Sequence, residues 1–232
     1  MVRLFDKNMF IMLLSIMIGV VIITFFVADI NARSEEQEKH SIEIGTIEQK
    51  NINFTSNFMK SNVLLDQARE DRSFGNYHFD LGLLWYQSAL AEKNETTMDT
   101  YKLRGIDNCT RTKPYFLNSH LNFGEAQNFF IETKTLTTYP NYLEILDKYI
   151  DLTESGATLT LLRYNASIYL QYLTENLTFD PISNNVTYLE LENISDLIGL
   201  LDDLLSEYEE ELKEYEEIKE EIDEYEFFDE IR

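Results

Sequence analysis

Hydrophobic positions run unbroken in one stretch of this chain and recur with helical spacing through most of the rest. The unbroken stretch is Met9–Ala28, MFIMLLSIMIGVVIITFFVA, with no charged residue. About 20 apolar residues, rising about 1.5 Å each as a helix, match a bilayer core of about 30 Å. Its polar side chains, Ser15 and Thr24, can bond back to helix carbonyls. A lone Gly19 gives no GxxxG pairing face, and without an ionisable group there is no ion path or proton relay. The run predicts a plain signal-anchor seated in the lipid bilayer. A cleaved signal peptide is the alternative. Its apolar region would span about 7–15 residues before a small-residue cleavage site, whereas Phe26 and Ile30 precede Ala28 and Ala32 here.

Beyond the run, apolar residues recur at steps of three, four and seven, which is the helical period. Ile44, Ile47, Phe54, Phe58, Leu65 and Ala68 predict a helix from about Ser34 to Arg72, closed by Asp71–Asn76 with Gly75 as its cap. Tyr77–Lys93 reads as a second helix with Tyr77, Leu81, Leu84, Trp85 and Ser88 on one face. Asn94–Thr112 reads as a loop around a short helix, Met98–Leu103. Pro114 then opens a helix over Tyr115–Glu132, whose apolar face holds Phe116, Phe123, Phe129 and Phe130. Thr133–Tyr139 is a connector, and Pro140 starts a helix over Asn141–Leu152 with Tyr142, Ile145, Leu146 and Tyr149 along it. Glu154-Ser155-Gly156 predicts a turn. Thr158–Glu175, carrying Leu162, Ala166, Tyr169 and Leu173, completes an antiparallel hairpin of helices.

Asn176–Thr187, with Pro181, reads as a linker. The last helix begins near Tyr188 or at Ser195. Leu201, Tyr208, Tyr215 and Ile222 recur every seven residues; Leu204, Ile218 and Tyr225 form a second seam that Glu211 interrupts.

With three prolines and eight glycines in 232 residues, the expected architecture is all-α. It comprises a single N-terminal transmembrane helix, an extracytoplasmic helical bundle and a long acidic coiled-coil-like C-terminal helix. The segments are a short cytoplasmic tail (1–8), the signal-anchor (9–28), the bundle (29–180), and a linker with an acidic amphipathic helix (181–232).

A net charge of −23 excludes a nucleic-acid partner, because phosphate binding needs a basic surface. Ser195–Arg232 holds 17 of the acidic residues against three basic ones. That helix is expected to pack on the bundle with its Glu outward; a basic partner or diffuse cations could neutralise it. No glycine interrupts its carboxylates as an EF-hand loop requires. Arg3 and Lys7 before the apolar run favour a cytoplasmic N-terminus, which leaves the bulk of the chain extracytoplasmic at the cell membrane. Seven N-x-[ST] sequons follow: Asn53, Asn94, Asn108, Asn165, Asn176, Asn185 and Asn193. From 18 Asn and 31 Ser and Thr, roughly two or three would arise by chance, so the excess fits a glycosylated surface protein.

Chemistry is sparse. His40, His78 and His120 fall in no HExxH or di-iron pattern, and there is no Walker, GxGxxG or GxSxG motif. Cys109, the one cysteine, can form no internal disulfide and reads as a structural thiol. No catalytic, cofactor or metal residue is assigned. The expected function is non-enzymatic: a membrane-anchored surface protein whose ectodomain binds an unidentified protein partner or joins an envelope complex. A ligand sensor working through a partner is the runner-up, and an exported enzyme the third reading. A large polar pocket would favour the enzyme, an apolar cavity the sensor, and an exposed apolar face partner binding.

Overall fold

The structure, a computed structural model, describes the backbone of residues 3–189 and 194–225; within 3–35 it describes only the side chains of Thr24, Arg33 and Ser34. Among the described residues the fold is all-α but for one short hairpin. Its elements are α1 (Arg3–Ala91), α2 (Glu95–Lys134), α3 (Pro140–Glu175), β1 (Leu177–Asp180), β2 (Asn185–Tyr188) and α4 (Ile194–Asp223). Two compact units emerge, Met1–Ile52 and Asn53–Arg232, and α1 contributes to each. Among the described residues no helix is long and apolar enough to cross a membrane. Met9–Ala28 lies in the helical backbone of α1, but its side chains, Thr24 apart, are outside the described set.

The second unit is a bundle of the later part of α1 with α2, α3 and α4, built on a seven-residue register. In α2, Gly105, Thr112, Ser119, Ala126 and Thr133 recur every seven residues and are buried; Cys109, Phe116, Phe123 and Phe130 alternate with them. In α1, Ser61, Ala68, Gly75, Gly82 and Ala89 form the matching buried small series. Small residues of one helix receive large ones of the other, so antiparallel helices approach closely. A methyl added at Gly75 would lie 2.5 Å from Phe116 Cε1, and one at Gly82 would lie 2.9 Å from Cys109 Sγ. In α3, Gly156 plays the same part toward Phe123.

This register corrects several expected boundaries. Gly75 does not cap a helix: α1 runs on to Ala91. Asn94–Thr112 is not a loop but the first half of α2, with Asn94 as N-cap accepting from Thr97 N. Pro114 sits inside α2 on its exposed side, where water can satisfy the carbonyl that loses its donor. Glu154-Ser155-Gly156 is helical, so α3 is one element rather than a helical hairpin. Asn176–Thr187 is not a linker; it folds as the β1–β2 hairpin, with Leu177 opposite Tyr188. Asn184 takes the left-handed conformation in the turn (φ 52°), which asparagine tolerates. The expected connector Thr133–Tyr139 is shorter, Thr135–Tyr139, because Thr133 and Lys134 finish α2; Pro140 does open α3.

Most of the buried hydroxyls are satisfied locally, whereas Ser155 Oγ, buried in α3, has no partner. Thr112, Thr133, Thr153, Thr160, Ser167 and Thr174 each donate to a carbonyl three or four residues back. Ser119 Oγ instead crosses to Ala68 O at 2.7 Å and tethers α2 to α1. Paired in this way, small polar side chains can occupy the tight seams without an unsatisfied donor.

The strongest expectation concerned α4. Leu201, Tyr208, Tyr215 and Ile222 are its buried residues, and its carboxylates face outward. What docks it is aromatic. Arg69 Nε donates to Tyr215 Oη at 3.0 Å, Arg72 lies 4.2 Å over the Tyr215 ring, and Asn76 donates to Tyr208 Oη at 3.1 Å. Arg163 is sandwiched between the Phe79 and Tyr208 rings at 4.5 and 4.1 Å. The buried Arg72 Nη1 and Arg163 Nε, which lack hydrogen-bond acceptors, belong to these stacked guanidinium groups.

Candidate functional site

The buried seam of α1 and α2 leaves a second line of contacts on their outer side. Residues 71, 74, 78 and 85 of α1 follow one helical stripe, and 101, 104, 108, 115 and 122 of α2 follow another. The two stripes meet as a ladder. Asn122 donates to Asp71 Oδ2 at 3.4 Å, and the Phe74 and Tyr115 rings lie 5.6 Å apart. His78 stacks on Tyr115 at 5.8 Å, and its Nδ1 lies 3.1 Å from Asn108 Oδ1. Further along, Trp85 stacks on Tyr101 at 5.4 Å, with the Arg104 guanidinium 4.7 Å from the indole. Burial, and then the charge of Glu70, holds the Asp71 carboxyl above its ordinary range.

The ladder reaches the surface, with most of its side chains half-buried. Phe74 is 47% exposed, and Tyr77, in edge contact with His78, is 61% exposed. Leu84 and Leu103 beside it are exposed as well. The face expected for Tyr77–Lys93 is therefore only partly interior. The bundle buries Phe79, Gly82, Tyr86 and Ala89 instead, because those positions carry the seven-residue register. Trp, Tyr and Arg are the side chains that give the largest binding energies at protein interfaces. On a monomer they stand out when grouped on one surface rather than scattered.

Of the seven sequon asparagines, Asn53, Asn94 and Asn185 are exposed, while Asn108, Asn165 and Asn176 are half-buried; Asn193 lies outside the described residues. Asn108 is held on both sides of its amide, by His78 and by donation to Arg104 O at 2.9 Å. Asn94 and Asn185 come to the same end of the bundle, since Lys93, next to Asn94, donates to Asn185 Oδ1. At that end too, Tyr86 and Tyr188 share a hydrogen bond between their hydroxyls. Burial, followed by that bond, pushes the Tyr86 phenol well above its usual range.

The histidines do not converge. His40 pairs with Glu43 at 3.5 Å, His78 belongs to the ladder, and His120 Nδ1 lies 3.2 Å from Ala157 O. Among the described residues no three His, Cys, Asp or Glu side chains gather as metal ligands. An open groove between α1 and α2, lined by Met59, Lys60, Val63, Leu64, Glu125 and Phe129, holds one cation over an aromatic ring and one carboxylate. It offers no nucleophile-and-base pair.

Cys109 is fully buried against Gly82, and burial pushes its thiol up to about 12 from an ordinary 9.0. An unfolded chain loses this proton first. The native preference for the neutral thiol therefore contributes fully below pH 9 and is lost as the pH rises from 9 toward 12. The loss is on the order of 4 kcal/mol at most, read from those two values. Urea midpoints at pH 8 and pH 11 should differ less in Cys109→Ala than in the parent. An equal difference in both proteins would mean that the thiol does not drive alkaline instability.

Comparison with protein-family models, with curated proteins and with solved structures finds no match.

Proposed function

We propose that this chain is a non-enzymatic, membrane-anchored surface protein whose helical bundle binds a partner protein. The observation that carries the reading is the surface ladder of Phe74, Tyr115 and His78 with Trp85, Tyr101 and Arg104, in which Phe74 and Arg104 are exposed and the other four half-buried. Its residues hold one another in place, so they present a preorganised surface that loses little freedom on binding. The seams beneath it are closed by rings set against glycines, an arrangement that favours a rigid adaptor over a ligand sensor needing an interior cavity. The uncharged Met9–Ala28 run supports anchoring, with the bundle extracytoplasmic and the N-terminus cytoplasmic. Exposed Asn53, Asn94 and Asn185 are the sequons accessible for glycans on that side.

A photoreactive residue at Tyr77 in intact cells tests both parts. It should give one protein adduct, reduced at least about tenfold by Trp85→Ala with Arg104→Ala, as expected for paired hot-spot losses of about 1–2 kcal/mol each. A photoreactive residue at Glu209 on α4 should not give that adduct. Equal adducts from both positions would remove the ladder from the argument. Protection of the bundle from added protease until lysis would overturn the topology.

A further inference from the structure

A sequon offers two side chains to the transferring enzyme at once, the asparagine and the hydroxyl residue two positions on. In a helix, side chains two apart point to different sides; in a strand they share one face. The described sequons divide on this point. Asn53, Asn108 and Asn165 lie inside helices. Ser167, the hydroxyl partner of Asn165, is fully buried and donates to Tyr164 O at 2.7 Å. Asn108 is clamped between His78 and Arg104 O, and its partner Thr110 donates to Ile106 O at 2.8 Å. Asn176 closes α3 half-buried, with Nδ2 donating to Tyr172 O at 2.8 Å. Asn94 has an extended backbone, but its Oδ1 caps α2 and Thr96 already lies in the first turn of that helix.

Asn185 differs from all of these. In β2 the side chains alternate: Val186 and Tyr188 pack on the bundle, and Asn185 and Thr187 are both exposed. The pair therefore stands on one solvent-facing side of a strand. The amide is held only at the surface, by Lys93 donating to Oδ1 and by Nδ2 donating to Ser183 O at 3.0 Å.

We infer that Asn185, read together with Thr187, is the sequon that accepts an N-linked glycan on the folded bundle. The donor is an oligosaccharide joined through a phosphate or diphosphate to a membrane lipid. Nδ2 attacks the anomeric carbon and a C–N bond forms. The C–O bond to the phosphate breaks, the phosphate leaves with that electron pair, and one Nδ2 proton passes to a base on the transferase. The second Nδ2 hydrogen remains to donate to Ser183 O, and Oδ1 still accepts from Lys93, so the hairpin keeps its contacts. In the cell this site rests on the extracytoplasmic placement of the bundle.

The test uses the full chain, made in a host without the transferase and purified in mild detergent. It is incubated with glycosylating membranes and a labelled lipid-linked oligosaccharide. Glycopeptide mapping should place label at Asn185 at least about tenfold above Asn53, Asn94, Asn108, Asn165 or Asn176, because those must first be released from helical structure. Short synthetic peptides containing the Asn108 and Asn165 sequons should both be labelled, since they carry no fold. Asn185→Gln and Thr187→Ala should each abolish the main label, and Thr187→Ser should retain it. Detergent opens both sides of the membrane, so this result is separate from sidedness, which protease on intact cells reads. An unlabelled Asn185, equal label at any of the other five, or peptides as silent as the folded helices would each overturn the inference.

Discussion

Replacing Tyr215 with alanine should lower the unfolding free energy by about 3–5 kcal/mol, the range for deleting a large buried aromatic. The ring is almost wholly buried in the middle of α4, in edge contact with Phe123 at 6.5 Å. Its hydroxyl accepts from Arg69, and its face carries Arg72. Removal leaves a cavity and, in addition, a guanidinium with a buried Nη1 and no ring beneath it. Tyr215→Phe keeps the ring and loses one hydrogen bond, so it should cost about 1 kcal/mol. Urea denaturation of the three proteins gives the series. With alanine, α4 should also become the first segment cut in limited proteolysis, since its outer face is acidic and offers no alternative seam. Equal losses from Ala and Phe would show that the hydroxyl, not the ring, holds α4 in place.

Alanine at Gly156 should destabilise the bundle even though it favours the helix. Gly→Ala in a helix interior is worth about 1 kcal/mol in propensity. Here the new Cβ would sit 2.4 Å from Phe123 Cε1 and 2.6 Å from Cζ, within a seam that has no room to move the ring. Overpacking of this kind costs about 1–3 kcal/mol, and more when backbones must part. A net loss of up to about 2 kcal/mol is expected from these opposing terms. Phe123→Leu in the Gly156→Ala background should recover part of it, although Phe123→Leu alone is destabilising. A thermal melt of the four-member cycle measures the coupling. Additive effects would place the ring and the glycine out of contact.

These two helices also show what could be read from the chain and what could not. The seam of α4 was legible because its seventh-position residues, Leu201, Tyr208, Tyr215 and Ile222, are large and stand among glutamates. The other three helices carry an equally strict register, but half of it is written in Ser, Thr, Ala and Gly. Gly75 and Gly156 resemble punctuation by local preference, and Pro114 resembles a helix start. Tertiary contact overrides those preferences, since a ring that needs space selects glycine within a helix. The recurrence of Ser61, Ala68, Gly75, Gly82 and Ala89 at intervals of seven was the available signal. The aromatic ladder was less accessible: Trp85 and Tyr101 are sixteen residues apart in sequence, and only the antiparallel turn at Asn94 brings them face to face.

The hairpin was hidden for a different reason. Leu177–Asp180 and Asn185–Tyr188 are four residues each, too short to give a convincing alternation, and Pro181 and Asn184 between them suit a linker as well as a turn. Its stability is borrowed from the bundle, through Leu177 in the core and the Tyr86–Tyr188 contact.

Phe54 meets Tyr142 where α1 enters the bundle, and Tyr225, the last described residue, reaches the carbonyl of the adjacent Asn141 at 3.3 Å. α1 therefore enters the bundle, and the described part of the chain ends, at one pole, while Ile182, 95% exposed, marks the hairpin tip at the other. New termini cut at that tip, with Phe54 and Tyr225 joined by a short flexible bridge, would give a circular permutant of the bundle alone that keeps its seams. An epitope spliced there would stand clear of whatever the entry pole is tied to.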